Sequence, residues 1–186
     1  MIGYAFCGSF CTHARSLLEL ERLASEGFEL LPIMSENAYS TDTKFGSAAP
    51  FRERVEKITK REIIHTIKDA EPLGAVRPLD ALIISPCTGN TLAKIAHGIT
   101  DTAVTMAAKA HLRCDRPLLI ALATNDGASQ NLANLSTLLL RKSVYFVPLC
   151  QDDPTGKPHS LVADFGKLRE AFDKMKEGKQ MRPLFI

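Results

Sequence analysis

Short apolar runs alternate with longer amphipathic stretches along this chain, and that alternation constrains its fold more than any other feature. The runs are rich in branched apolar residues, which is typical of strands buried on both faces of a sheet. The predicted strands are 2–7, 28–34, 79–84, 117–123 and 144–148. The predicted helices are 12–25, 50–61, 91–112 with a break near Gly98, 130–141 and 161–176, whereas the pattern of 62–78 is ambiguous.

Strands that alternate with helices pair in parallel through right-handed crossovers. We therefore expect an α/β chain with a flavodoxin-like or Rossmann-like three-layer fold and a mostly parallel sheet, formed by a single domain over residues 1–186. A chain of 186 residues can bury a core without disulfide bonds. In such folds the ligand crevice opens at the carboxyl ends of the strands, where the strand order reverses.

The segment 85–101, SPCTGNTLAKIAHGITD, joins the third predicted strand to a polar turn and then to a helix that begins near Thr91. Its hydroxyl and amide side chains can donate and accept hydrogen bonds, and Gly89 lets the backbone approach a ligand closely. The free amide groups at the start of the helix would face the same turn. The candidate ligand-binding residues of this turn are Ser85, Thr88, Gly89, Asn90 and Thr91.

Three further polar turns are expected at the same edge of the sheet. Gly8 and Ser9 follow the first predicted strand, Ser35 and Asn37 follow the second, and Asn125 follows the fourth. Each turn alone also fits an ordinary chain reversal or a helix cap. Because all four turns meet at one edge, their coincidence favours a ligand site there.

The turn and helix at 86–101 resemble the signature of the flavoprotein family that includes the homo-oligomeric flavin-containing cysteine decarboxylases. That signature is roughly P-A-S/T-A-N-T followed by I/L-A-K-I-A-x-G-I-x-D, and the matching residues here are Pro86, Thr88, Asn90, Thr91, Ala93, Lys94, Ile95, Ala96, Gly98, Ile99 and Asp101. One branch of the family resembles this chain more widely, over DAEPLGA at 69–75 and over 86–113, 123–127 and 145–165. The resemblance therefore covers nearly the whole chain.

The resemblance implies an FMN site in which Ser9, Ser35, Thr88, Asn90 and Thr91 contact the phosphate, ribityl chain and ring. In the resembled branch, the chain is one of two different polypeptides of an oxidoreductase that forms the pyridine dicarboxylate of bacterial spores from a cyclic dihydro or hydroxy-tetrahydro precursor. The other polypeptide binds NAD(P). The implied partners are that second polypeptide, a small dicarboxylate substrate and further copies of this chain in a trimer or larger homo-oligomer.

Two other functions remain open: a flavin-dependent decarboxylase or prenyl-flavin enzyme of the same family, and a noncatalytic chain that stabilises a nicotinamide-binding partner. The resembled decarboxylases use a histidine ahead of the third strand and a P-x-M-N segment. Residues 122–125 are LATN, which keeps only the Asn, and the surroundings of His65 do not match. Decarboxylation of a peptidyl cysteine is therefore disfavoured, and no catalytic residue is assigned. Lys94, Lys109 and Arg113 are candidate cations for the substrate carboxylates.

Composition excludes several other classes of function. The net charge is +2, from 23 basic and 21 acidic residues spread evenly, so a nucleic-acid partner is not expected. No apolar run approaches the length of a membrane span, and we expect a cytoplasmic protein without a membrane partner. The five cysteines have no C-x-x-C spacing, so neither a disulfide framework nor a metal site is expected. Cys87, inside the polar turn, is best interpreted as a small wall residue.

Overall fold

A seven-stranded sheet forms the centre of the molecule, which a computed structural model describes over residues 1–186. The strands are Ile2–Phe6 (β1), Leu30–Met34 (β2), Ala81–Cys87 (β3), Leu118–Thr124 (β4), Val144–Phe146 (β5), Leu149–Cys150 (β6) and Leu161–Ala163 (β7). The helices are His13–Ser25 (α1), Glu36–Ser40 (α2), Ala48–Thr59 (α3), Ile67–Ala70 (α4), Gly89–Ala96 (α5), Ala103–Leu112 (α6), Leu132–Leu139 (α7) and Leu168–Lys176 (α8). Short 3₁₀ turns cover Phe10–Thr12, Glu71–Leu73 and Phe165–Lys167.

The sheet has the order β2-β1-β3-β4, and β5 lies beside the amino-terminal half of β4. All of these pairs are parallel, which confirms the predicted flavodoxin-like α/β fold. Every residue of β1, β2 and β3 is buried, because helices cover both faces of the sheet. The strand order reverses between β1 and β3, so a crevice is expected at their carboxyl ends.

Strand β3 continues through residues 85–87, which the sequence pattern assigned to the turn. Ser85 is consequently fully buried inside the strand, with its Oγ 2.9 Å from Oγ of Ser16 in α1. Ser16 Oγ also donates to the Ser85 carbonyl, and the Tyr4 hydroxyl donates to the Ser16 carbonyl at 2.8 Å. Burial raises the pKa of Tyr4, so its hydroxyl stays protonated. These bonds join α1 to the sheet and leave Ser85 turned away from the polar edge.

The predicted helix 161–176 is wrong over its first seven residues. Leu161–Ala163 forms β7, which pairs antiparallel with Ala123 and Thr124 of β4 and with β6. The physical reason is tertiary: β5 covers only the first half of β4, and this apolar triplet completes the exposed edge of the second half. The Asp164 side chain then accepts a hydrogen bond from the Gly166 amide at 3.2 Å, and the helix begins only at Leu168.

The predicted helix 91–112 is divided near Gly98, as expected. Gly98 has φ = +72°, a conformation that side chains with a Cβ rarely adopt, and α5 ends before it. Thr102 begins α6 with a reciprocal cap, in which its side chain and that of Thr105 each accept a backbone amide hydrogen. The ambiguous segment 62–78 contains α4 and a 3₁₀ turn, preceded by a single bridge from Ile64 to β2.

The helices carry no signal of membrane insertion, because none combines enough length with enough apolar character to cross a bilayer.

Candidate functional site

The turns after β1 and β2 contact each other at the carboxyl edge of the sheet. A Cβ atom placed on Gly8 would lie 3.6 Å from the Asn37 Cβ and 3.6 Å from the Phe10 ring. Ser35 is buried and caps α2, because its Oγ accepts the Ala38 amide hydrogen at 3.3 Å. The side chains of Ser9 and Asn37 make no hydrogen bond within the chain. These two are therefore the groups of this pair of turns that a ligand can reach.

The turn after β3 begins α5 and divides its polar residues into two kinds. Thr88 Oγ1 accepts the Thr91 amide hydrogen at 3.2 Å and donates to Thr91 Oγ1 at 3.1 Å. These bonds cap the helix, and Thr91 is buried. Asn90 is exposed, and its amide makes no hydrogen bond within the chain. Thr88 and Thr91 thus shape the start of the helix, whereas Asn90 is free to bind a ligand.

The turn after β4 contains a cluster that the sequence analysis missed. Asp126 accepts a hydrogen bond from Thr124 Oγ1 at 2.5 Å, and its two carboxylate oxygens each lie 2.9 Å from Asn131 Nδ2. We name these three residues the Asp126 cluster. The bonds from Thr124 and Asn131 lower the pKa of Asp126, so the carboxyl group is ionised at neutral pH. Asn125 lies inside this turn, exposed and without a hydrogen-bond partner for its amide.

The turns after β3 and β4 touch at Gly89. A Cβ atom on Gly89 would lie 2.4 Å from Thr124 Oγ1, 2.6 Å from Asn131 Nδ2 and 3.0 Å from Asp126 Oδ1. The prediction that Gly89 permits a close approach is consistent with this geometry, but the neighbour is the β4 turn. The only sequence signal for the cluster was ATNDG at 123–127, because Asn131 lies several residues downstream.

A backbone hydrogen bond beneath the site connects the turns after β1 and β2 with the turns after β3 and β4. The Cys7 amide donates to the Pro86 carbonyl at 3.1 Å, which connects the end of β1 to the end of β3. Cys7 and Cys87 are both buried there. Burial raises the pKa of the Cys87 thiol, so it stays protonated, and the side chain forms part of the floor. This placement agrees with the interpretation of Cys87 as a wall residue.

A cavity of about 380 Å³ lies beside the first pair of turns, between α1, α3 and residues 41–47. Its wall includes His13, whose ring stacks on Phe51 with 4.7 Å between centroids. His13 Nε2 donates to the Cys7 carbonyl at 2.7 Å, and burial lowers the pKa of His13, so the ring is neutral at pH 7. No sequence pattern indicated this cavity.

The candidate cations are not free at the polar edge. Lys94 forms an ion pair with Asp101 at 2.7 Å. Lys109 lies in the last turn of α6, and Arg113 directly follows that helix, near Gly74. Both residues therefore lie at the end of α6 that leads to the start of β4. The ring of His65 stacks on Tyr39 with 3.8 Å between centroids. None of the three candidate cations is therefore a free charged donor at this edge.

No group of three or more His, Cys, Asp or Glu side chains is arranged to bind a metal ion.

The chain is similar to known proteins along nearly its whole length. The family model described as Flavoprotein matches residues 2–170. The chain is 40% identical over 185 residues to the B subunit of dipicolinate synthase from Bacillus subtilis (strain 168), an alignment that covers 100% of this chain and 92% of that protein. The crystal structure of the B subunit of dipicolinate synthase from Bacillus halodurans has a TM-score of 0.91 and 37% identity, covering 100% of this chain and 95% of that one.

A more distant structure shares the fold. The dodecameric FMN-dependent Ubix-like decarboxylase from Escherichia coli O157:H7 has a TM-score of 0.69 and 21% identity, with 98% of this chain and 97% of that chain covered. At that identity the likeness shows the fold alone. The family model, by contrast, matches residues 2–170, and the Bacillus subtilis relative aligns with all of the chain. This chain therefore belongs to the flavoprotein family, in the branch of the dipicolinate synthase B subunits.

Proposed function

We propose that this chain is the B subunit of a dipicolinate synthase, which acts with the A subunit of that enzyme in the cytoplasm of a spore-forming bacterium. The pair removes two electrons and two protons from dihydrodipicolinate to form dipicolinate; from the hydroxy-tetrahydro precursor, loss of one water accompanies the same oxidation. The observation that carries the proposal is the 40% identity to such a protein over the whole chain. The polar edge supports it, because four side chains there have no partner within the chain and can bind a ligand.

The residues at the edge fit an FMN molecule. Their free donors are the hydroxyl of Ser9 and the amides of Asn37, Asn90 and Asn125, spread along one edge of the sheet. Hydroxyls and amides suit the phosphate, the ribityl chain and the polar rim of a flavin ring. Ser35, Thr88, Gly89 and Thr91 hold the backbone of the same turns, and we assign no direct ligand contact to Ser85, which is buried.

FMN, when bound, supplies a two-electron acceptor for the aromatising oxidation. The chain's own part is to bind and orient: Ser9 and Asn37 donate at one end of the edge, and Asn90 and Asn125 at the other. The A subunit supplies the NAD(P) site. The dodecameric assembly of the decarboxylase from Escherichia coli supports a homo-oligomer, a trimer or larger, for this chain as well.

Titration of the purified chain with FMN, followed by flavin fluorescence, tests the cofactor site without a partner or a substrate. We expect saturable quenching that Asn90→Ala weakens about fivefold to tenfold, since one hydrogen bond of this kind contributes about 1 to 1.5 kcal/mol. Ser136→Ala, an exposed polar change on α7, is the matched control and should bind like the wild type. Wild-type binding by Asn90→Ala would contradict the assignment of Asn90.

Reconstitution with the A subunit tests the reaction. We expect dipicolinate to form from the dihydro precursor only when both chains are present. Release of CO2 from a substrate carboxyl group by this chain alone would favour the flavin-dependent decarboxylase or prenyl-flavin alternative. Full activity of the partner polypeptide alone would instead favour a noncatalytic chain that stabilises it.

A further inference from the structure

The Asp126 cluster closes the β4 turn through both side chain and backbone. Besides the carboxylate bonds from Thr124 and Asn131, the Asp126 carbonyl accepts the Asn131 amide hydrogen at 3.0 Å and the Ser129 amide hydrogen at 3.1 Å. Asn134 Nδ2 donates to Asn131 Oδ1 at 2.9 Å, which orients the Asn131 amide so that its Nδ2 faces the carboxylate. Every side-chain polar atom of the cluster therefore has a defined partner.

The β4 turn is also held from both sides. On one side, the Asp126 cluster packs against Gly89 at the start of α5, where a Cβ atom would clash with the cluster unless its side chains moved. On the other side, Ser160 Oγ donates to the Thr124 carbonyl at 3.2 Å, and the Ala128 amide donates to the His159 carbonyl at 2.9 Å. The turn is thus fixed between α5 and the segment that leads into β7.

Asn125 is the exception in this turn. It lies between two members of the cluster, it is exposed, and its amide has no partner within the chain. Asn90, across the Gly89 contact, is exposed and unpartnered in the same way. A rigid turn that leaves one amide free is the arrangement by which a scaffold presents a ligand-binding group.

We propose that Asp126 is a positioning residue, which holds the Asn125 amide in register with Asn90 so that both contact one ligand. The proposal rests on the proposed function, because it takes the ligand to be the flavin or the dicarboxylate substrate. In this proposal Asp126 acts through Asn125, because its carboxylate accepts hydrogen bonds from Thr124 and Asn131.

The chemistry of the cluster requires a carboxylate. Three donor contacts converge on Asp126, and a carboxylate offers two acceptor oxygens, whereas an asparagine at this position offers one and adds a competing donor. Asp126→Asn therefore removes part of the cluster without a change of shape. The reciprocal pair, Asp126→Asn with Asn131→Asp, restores an amide facing a carboxylate.

The decisive experiment is a double-mutant cycle on Asn125 and Asp126. The measurements are the Kd for FMN of the whole chain, the KM for the dihydro substrate in the presence of the A subunit, and the free energy of unfolding. We expect Asn125→Ala and Asp126→Asn each to raise one of the two constants about tenfold, and the double variant to be no worse than Asn125→Ala. The reciprocal pair should recover most of the affinity. Asp153→Asn, the same charge change in an exposed loop, should alter neither constant.

The outcomes separate the two proposals. If Asn125→Ala alters neither constant, Asn125 is not a ligand contact, and both the site assignment and the positioning role fail. If Asn125→Ala raises a constant but Asp126→Asn adds a further independent loss, the site stands and only the positioning role is overturned. If Asp126→Asn lowers the free energy of unfolding without altering either constant, the cluster is structural alone.

Discussion

Two sets of polar side chains, one at each end of the central sheet, are used in opposite ways. At the amino end, Arg116 Nη1 donates to the carbonyls of Gly74 and Leu79, both at 3.3 Å, and His111 Nε2 donates to the Pro117 carbonyl at 2.8 Å. At the carboxyl end, Asn90 and Asn125 have no partner within the chain. Arg116 and His111 therefore hold the fold at the amino end, whereas the amides of Asn90 and Asn125 at the carboxyl end are available for a ligand.

One glycine at each end makes the comparison testable. A Cβ atom on Gly74 would lie 2.4 Å from the backbone carbonyl oxygen of Ala110 in α6, whereas one on Gly89 would meet only side-chain atoms of the β4 turn. Displacing helix backbone costs more free energy than displacing side chains. The same substitution should therefore affect stability most at the amino end and binding most at the carboxyl end.

The largest effect on stability is expected from Gly74→Ala. Because the new methyl group would force α6 away from the segment that follows α4, we expect a loss of about 3 kcal/mol in the free energy of unfolding, at the upper end of the usual cost of overpacking. Urea unfolding measures the loss. Folded Gly74→Ala protein should still bind FMN as the wild type does. A large rise in its Kd for FMN would contradict the inference that the amino end of the sheet affects stability and not binding.

Gly89→Ala should cost less stability, about 1 to 2 kcal/mol, because Thr124, Asp126 and Asn131 can shift. That shift moves Asn125 relative to Asn90, so we expect the Kd for FMN to rise about tenfold or more. Fluorescence titration and urea unfolding of the same preparation measure the two effects. An unchanged Kd, together with the expected loss of stability, would show that the β3–β4 contact is structural only.

The smallest effect concerns pH and the amino end. Burial lowers the pKa of His111 below its ordinary value of 6.5, and its Nδ1 has no hydrogen-bond partner. The His111 imidazole of the unfolded chain takes up a proton more readily than that of the folded chain. The folded state therefore keeps its full stability with respect to this group above about pH 6.5 and loses stability as the pH falls below that value. His111→Gln should make the free energy of unfolding less sensitive to acid, as measured by urea unfolding near pH 7.5 and near pH 5.

Two controls sharpen that measurement. His13 has its pKa lowered by burial in the same direction, so part of the acid sensitivity will remain in His111→Gln. His97→Gln, the same substitution at an exposed histidine, controls for the change of side chain itself. A wild-type slope in His111→Gln would show that this buried imidazole does not contribute to acid sensitivity.

Most of the central architecture follows from local patterns in the sequence. The alternation of buried runs and amphipathic helices led to the parallel order of β1 to β5, and the φ of +72° at Gly98 agrees with the predicted helix break. The polar residues that follow these strands could also be named, because parallel strands bring their carboxyl ends to one edge.

The partners of those residues could not be named in advance. Ser85 and Asn90 are both polar residues near the end of the same strand, yet one is bonded to Ser16 of α1 and the other is free. Which of them faces a ligand depends on where β3 ends. That length is decided by pairing with β4, which lies about thirty residues further along the chain.

The sequence by itself thus determined the strand and helix periods, the parallel sheet, the family and the edge at which polar turns gather. Only the tertiary structure decided that Leu161–Ala163 becomes a strand, that Gly89 lies against the Asp126 cluster, and that the predicted cations are paired or distant. The physical reason is the separation along the chain of the residues that interact. Periodicity and turn chemistry act between near neighbours, whereas the partner of a hydrogen-bonding group or the edge left open on a strand is set by segments far apart in the chain.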